Sequence, residues 1–165
     1  MARKVFYSFH YKPDNWRASQ VRNIGTVEGN TPVSDNDWEK ITGGGDPAIK
    51  KWIDKQLEGR SCTIVLIGAR TAGRKYIDYE ILKSWNSKKG VLGIYIHNLK
   101  DKDGKQSNKG SNPFYGFTVG EDKKRLSSIV YAYDPPYSMS TNVYDYIKKN
   151  LSSWVEKAIT IRNNF

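Results

Sequence analysis

The segment Ser61–Ser84, SCTIVLIGARTAGRKYIDYEILKS, decides how the chain folds. Its first part, Cys62–Ile67, is apolar and β-branched without a break. Such a run reads as a strand buried on both faces, as in a parallel sheet. Gly68 ends the run and a polar loop follows. From Tyr76 the spacing becomes helical. Tyr76, Tyr79 or Glu80, and Lys83 fall on one side, and Ile77, Ile81 and Ser84 on another. Strand, loop and helix make half of a βαβ unit. In open α/β sheets ligands bind in the crevice beyond the C-terminal strand ends, so Glu80, one turn into this helix, is a candidate for chemistry.

The same alternation extends to both sides. Lys4 to His10 (KVFYSFH) reads as the first strand. Asp14 or Asn15 is expected to cap a helix running to about Ile24, with Trp16, Val21 and Ile24 as its apolar positions. A short second strand is expected at Thr31 to Ser34, before the acidic Asp35-Asn36-Asp37 loop. Gly43-Gly44-Gly45 reads as a tether, and Asp46 as the cap of a helix from Pro47 to Leu57 with Ile49, Trp52 or Ile53, and Leu57 inward. The Glu80 helix is expected to end near Lys88-Lys89, with Gly90 beyond. Val91 to Ile96 and Leu126 to Tyr133 supply two more strands, separated by a long polar loop at 98–117. A last helix from Thr141 or Asn142 to about Ile161 carries the stripe Val143, Ile147, Leu151, Trp154, Val155 and Ala158, with 161–165 expected to fray. Trp52 and Trp154, like Trp16, fit core stripes. The order predicts one domain over 1–165: a flavodoxin-like, doubly wound three-layer α/β sandwich. Its five-stranded, mostly parallel sheet has the order 2-1-3-4-5.

With 165 residues, 38% of them hydrophobic, the chain suits a single core. No apolar run reaches the length of a membrane span, the first residues carry no signal-peptide pattern, and the single cysteine, Cys62, lies inside a strand. These features predict a cytoplasmic protein without membrane contact or intrachain disulfide. The formal charge is +10, but Lys and Arg are interleaved with Asp and Glu, as in KKWIDK and LKDKDGK. That pattern argues against nucleic acid as a partner and for a bias toward phosphate-bearing ligands. There is no Walker motif, GxGxxG, GxSxG or metal-spaced His/Cys cluster, and FHYKPDN is not a flavin-phosphate loop. A receiver's phosphoacceptor is also missing, since the third strand runs out into Gly68-Ala69-Arg70.

Three stretches, VFYSFHY at 5–11, LEGRSCTIVLIGARTAGRKYIDYEI at 57–81 and KGSNPF at 109–114, resemble the TIR-like proteins of bacterial Thoeris anti-phage defence, the ThsB type. The resemblance spans roughly Arg3 to Phe117. TIR enzymes place an aromatic residue four positions before a helix glutamate, often as Trp-Cys-x-x-Glu. Tyr76, Ile77 and Glu80 hold those places here. The resemblance implies an NAD+-consuming enzyme that cuts the nicotinamide–ribose bond and makes a cyclic ADP-ribose-type signal. An effector protein reached by that diffusible nucleotide would be its downstream partner. It implies Glu80 as the catalytic carboxylate, NAD+ as substrate, no separate cofactor and no metal. A homo-oligomer is a further expectation, since several TIR enzymes build a site across two subunits. One carboxylate suffices chemically, because nicotinamide leaves as a neutral group and needs no general acid.

Around Glu80 the expected nucleotide-binding residues are Ser8, Phe9, His10, Arg70 and Tyr76. Phe9 would stack on a base, Ser8 or His10 would bond phosphate or ribose, and Arg70 would pair with pyrophosphate. The plainer readings stand beside these. Glu80 is then a solvated helix carboxylate near Lys83 or Ser84, Phe9 core, His10 and Arg70 ordinary loop residues, and Asp35 and Asp37 turn formers. Rival functions are a non-catalytic TIR-like module that binds a nucleotide or protein, a deoxyribosyltransferase-like enzyme using Glu80 as a covalent nucleophile, and a nucleic-acid binder.

Overall fold

A computed structural model describes residues 2–31 and 40–165. The strands are β1 (Val5–Ser8), β2 (Cys62–Ile67), β3 (Gly90–Tyr95), β4 (Thr118–Val119), β5 (Lys124–Arg125) and β6 (Ala132–Tyr133). The principal helices are α1 (Tyr11–Arg22), α2 (Gly45–Leu57), α3 (Lys75–Asn86) and α4 (Ser140–Asn163). Four strands form one sheet in the order β1-β2-β3-β6, every neighbouring pair parallel, while β4 and β5 form a separate antiparallel pair.

The central strands are buried along their whole length, as their unbroken apolar runs predict. Successive side chains go to opposite faces. Val5, Tyr7, Cys62, Ile64, Leu66, Leu92 and Ile94 share a cluster with Ala18 and Val21 of α1 and with the α4 stripe. On the other face Val65, Ile67, Val91 and Tyr95 pack against Ile77, Ile81 and Trp85 of α3. Phe6 packs there too, against Ile49, Ile53 and Leu57 of α2. Two helices on each face make the expected three layers. The α4 stripe is buried at all six expected positions.

The sheet differs from expectation at its β6 edge. Beyond Thr31, the expected second strand lies outside the described residues, as do Asp35 and Asp37. Among the described residues the outer edge of β1 carries one parallel bridge, Lys4 to Glu28, with the Val5 N–H donating to the Glu28 carbonyl at 2.8 Å. Among the described residues the sheet has four strands. At the far edge the strand expected over Leu126 to Tyr133 shortens to Ala132–Tyr133, because Leu126–Ser128 turns into a 3₁₀ helix that buries Leu126.

The helix limits also shift. α1 begins at Tyr11, which puts Pro13 in the first turn, where a missing N–H costs nothing. Asp14 is therefore not a cap but a buried residue paired with Arg17. Trp16, expected in the core, is 56% exposed, because Asp14, Arg17, Ala18 and Val21 occupy the inward face. Trp52 is only partly buried, against the α2 cluster. The three glycines are not a tether: the Gly44 N–H donates to the Ile41 carbonyl and α2 starts at Gly45. α4 continues to Asn163, and the expected loose tail is tied back, with Arg162 Nε donating to the Trp85 carbonyl at 2.9 Å.

The end of α3 uses a non-glycine residue where glycine is usual. The Lys89 N–H donates to the Ser84 carbonyl and the Lys88 N–H to the Trp85 carbonyl, the two bonds of a Schellman motif. Lys88 sits at its left-handed position with φ +63°. A side chain there costs on the order of 1 kcal/mol relative to glycine. Lys88→Gly is expected to raise stability by about 0.5–1 kcal/mol in urea unfolding, and an unchanged or lower midpoint would contradict this reading of the turn.

Candidate active site

Two periodicities meet at the top of β1. Ser8 is two residues beyond Phe6, so both side chains face the α2–α3 layer. On α3, the inward face is Ile77, Glu80, Ile81, Ser84 and Trp85. Glu80 and Ser84 are one helical turn apart, about 6 Å along the axis. Strand residues two apart, such as Thr63 and Val65, rise by a similar distance of about 6.6 Å. The match allows two polar rungs between sheet and helix. Ser84 Oγ lies 2.7 Å from Thr63 Oγ1 and donates to the Glu80 carbonyl at 2.6 Å. One level higher, Ser8 Oγ donates to Glu80 Oε1 at 2.6 Å. Ser8 pairs in register with Val65, and Phe6 with Thr63, which places the upper rung nearer the C-terminal edge of the sheet.

Glu80 is 8% exposed and Ser8 1%. The solvated-carboxylate arrangement is thus not what the chain adopts. Lys83 lies instead near Asp54, 4.0 Å away, and Ser84 touches the Glu80 backbone rather than its carboxyl. Burial pushes the Glu80 carboxyl up to about 8, and the Ser8 hydroxyl pulls it partly back by stabilising the ionised form. A carboxyl in that range still holds its proton at pH 7 and ionises near pH 8, or lower when a positive charge is brought beside it.

The remaining expected residues divide into two groups. His10 and Arg70 both line a hollow of about 470 Å³ between the start of α1 and the loop after β2. The His10 imidazole is held below its ordinary value by burial and by the nearby Arg74 and Arg70 charges. Phe9 and Tyr76 are not joined to the Ser8–Glu80 pair. Phe9 packs against the α1–α4 core cluster, with its ring 6.2 Å from Tyr11. The Tyr76 hydroxyl donates to Asp46 Oδ1 at 2.8 Å, fastening α3 to α2. Asp46 also takes Lys75 at 2.7 Å and Lys50 at 3.2 Å, and these partners, Lys75 foremost, hold its carboxyl well below the usual range.

Asp14, Arg17 and Ser107 also line the hollow and were not singled out from the sequence as site residues. The one signal available was an Asp and an Arg three apart on the first helix, which also fits an ordinary cap and surface pair. A larger hollow, about 670 Å³, lies on the far side around Lys124, Tyr131, Lys157 and Phe165. It contains none of the expected site residues. The order of volumes therefore does not follow the chemistry, and the buried carboxyl is the better guide. Among the described residues no cluster of His, Cys, Asp and Glu is arranged to hold a metal ion, and no helix is long and apolar enough to cross a membrane.

A buried carboxyl with a raised pKa makes stability depend on pH. Between the unfolded value of about 4.5 and the folded value of about 8, the native state holds a proton that the unfolded chain has lost. Stability therefore falls as pH rises through that window. Glu80→Gln removes the titration and keeps a partner for Ser8. In melting experiments the variant is expected to gain stability over the parent between pH 4.5 and pH 8, by an amount on the order of a few kcal/mol. A constant difference across that range would contradict the burial described above.

Comparison with known proteins joins this geometry to a family. Residues 6–101 match the family described as Thoeris protein ThsB, TIR-like domain, a span that contains Ser8, Glu80, β2, β3 and all of β1 but Val5. A Bacillus cereus (strain MSX-D12) protein named "Putative cyclic ADP-D-ribose synthase ThsB1" is 37% identical over 133 residues, covering 76% of this chain and 69% of that protein. With the match extending over more than half of its length and through the Ser8–Glu80 pair, the chain belongs to the ThsB TIR-like family of Thoeris proteins.

Proposed function

We propose that the protein cleaves NAD+ at the nicotinamide–ribose bond and converts the ADP-ribosyl part into a cyclic ADP-ribose-type signal for an effector of phage defence. The observation that carries this reading is the buried Glu80 carboxyl, held by Ser8 at the C-terminal edge of the sheet. The name of the Bacillus cereus relative points to the same product class.

The chemistry needs little beyond that carboxylate. When the C1′–N bond breaks, its electron pair goes to the pyridinium nitrogen, and nicotinamide leaves uncharged. Positive charge passes to the ribose as an oxocarbenium ion. A carboxylate beside C1′ in a water-poor site stabilises that charge far more than it would in bulk water. The cationic pyridinium of bound NAD+ also favours ionisation of Glu80, so substrate binding draws its pKa downward. Ser8 keeps one oxygen in place through the change in charge. A nucleophilic atom of the same ADP-ribosyl unit then captures C1′ and closes the ring; water in its place gives open ADP-ribose.

Nicotinamide release from NAD+, followed with purified protein and in lysates of phage-infected cells producing it, tests the reading. Glu80→Gln is expected to lower the rate at least 10²-fold, the scale of a lost electrostatic stabiliser. Infected cells with Glu80→Gln should lack the cyclic product, and an unchanged nucleotide profile would refute the enzymatic reading. A pH profile gives a second expectation. In the parent, kcat/KM should rise about tenfold per pH unit below the Glu80 inflection near 8 and level off above it. Ser8→Ala removes the bond that favours the carboxylate and should move the inflection to higher pH; a downward or absent shift would contradict the assignment.

A further inference from the structure

The hollow beside His10 and Arg70 collects an uncommon set of unpaired atoms. Buried polar groups are nearly always hydrogen-bonded. Among the described residues, His10 Nδ1, Asp14 Oδ2 and Ser107 Oγ are buried with no protein partner, and all three residues line this one hollow. Asp14 is 1% exposed, and its other oxygen is spent on Arg17 at 3.0 Å. The other donors of Arg17 go to the carbonyls of Leu99, Pro13 and Lys105, with Nη2 also 3.7 Å from Asp101 Oδ2, and none is bonded to Asp14 Oδ2. Gly68 lies so close to the Asp14 carboxylate that a side chain there would overlap both of its oxygens.

The rim has the opposite character. Lys12 and Arg70 line it with exposed side chains. The hollow also lies at the N-terminus of α1, whose capping residue His10 makes no side-chain bond to the helix. The first-turn N–H groups of Tyr11 and Lys12 have no intrahelical partner, and the helix dipole favours an anion there. A ligand that satisfies both parts carries a negative group for the rim and hydroxyl donors for the buried acceptor. A ribose phosphate has that chemistry, and the volume lies within the range of small-molecule sites, about 300–1,000 Å³. Ser8 and Glu80 do not line the hollow, but His10, which does, is two residues beyond Ser8, at most about 7 Å along the chain.

We propose that this hollow holds the adenylate half of the substrate, with its phosphate at the start of α1 between Lys12 and Arg70 and a ribose hydroxyl donating to Asp14 Oδ2. Ser107 Oγ and His10 Nδ1 complete the ribose contacts. The nicotinamide ribose then reaches back toward Glu80. This assignment rests on the NAD+ reading above and makes Lys12, Asp14 and Ser107 positioning residues for it.

Calorimetric binding of AMP, which has no nicotinamide ribose, separates the two claims. AMP should bind the full chain, and Glu80→Gln should leave that affinity within twofold. Ser107→Ala removes an atom that has no protein partner, so the fold is not at risk, and should weaken AMP about 3- to 10-fold. Lys12→Met with Arg70→Met should weaken AMP at least 10-fold yet hardly affect adenosine, which lacks the phosphate. Equal binding of AMP to the parent and to these variants, or no AMP binding while NAD+ still binds, would overturn the assignment and identify the three orphan atoms as water-binding groups. The NAD+ reading would survive that result if Glu80→Gln still abolished nicotinamide release. Intact AMP binding with unchanged release in Glu80→Gln would remove the catalytic reading and leave a nucleotide site.

Discussion

The structure depends on one contact that folding alone would not favour, a carboxyl group carried inside and held, among the described residues, by the hydroxyl of Ser8. Ser8 and Glu80 meet because β1 and α3 are both held rigidly by apolar packing that involves neither residue. The α2 cluster fixes Phe6, two residues below Ser8. Ile77, Ile81 and Trp85 fix α3 on either side of Glu80. Desolvating a carboxylate with one hydrogen bond opposes folding, and the apolar layers offset it. The local penalty is what gives the carboxyl its altered affinity for a proton.

The supporting contacts show how the carboxyl is kept in place. The Thr63–Ser84 rung lies one turn along α3 from Glu80 and sets the helix against the sheet. Tyr76 and Tyr79 reach the other way, to Asp46 and Asp54 of α2. α3 is thus held from the sheet side and from α2, and a rotation that carried Glu80 to solvent would break both sets of bonds. The opposite layer has a different task. Asp14 and Arg17 are buried at the start of α1, and Arg17 binds the carbonyls of Leu99 and Lys105, anchoring the long loop after β3. The Ser107 N–H, bonded to the His97 carbonyl at 2.8 Å, brings that loop to the edge of the hollow.

Much of this was legible in the sequence, for identifiable reasons. The runs VFYS, CTIVLI and GVLGIY carry no charge and are apolar but for Ser8 and Thr63, and only a sheet covered on both faces buries such runs. The stripe from Val143 to Ala158 has one reading because its period holds over about four turns. Glu80 was legible as a position near the strand ends, but its direction was not. Spacing alone allowed it to share a face with Tyr76 and Lys83. The structure places it with Ile77 and Ser84, since the inward arc of α3 is wide enough to include position 80 and Ser8 offers it a donor. Trp16 misled for the converse reason. A large aromatic was assigned inward, whereas the first helix buries an ion pair there, which single-residue hydrophobicity cannot signal. The edge strands were least legible, because short, half-exposed segments such as Ala132–Tyr133 carry no distinctive pattern.

The role of Tyr76 shows the limit of a motif. The resemblance gives it the aromatic place before the glutamate, with a ligand-facing expectation. Here its hydroxyl is engaged with Asp46 and its ring packs beside the α2 cluster. An aromatic at that place can serve the site by holding the helix that carries the carboxylate, without meeting the nucleotide.

The central claim, that Glu80 is a buried carboxyl poised to meet positive charge, is tested most directly by observing that carboxyl. Carbon-13 NMR of protein labelled at the glutamate side-chain carbons, with Glu80→Gln to assign the resonance, follows its ionisation from pH 4 to 10. The account predicts a midpoint near 8 in the free protein, moving lower when a non-cleavable NAD+ analogue is bound. A midpoint at the ordinary glutamate value of about 4.3, unmoved by the analogue, would contradict it.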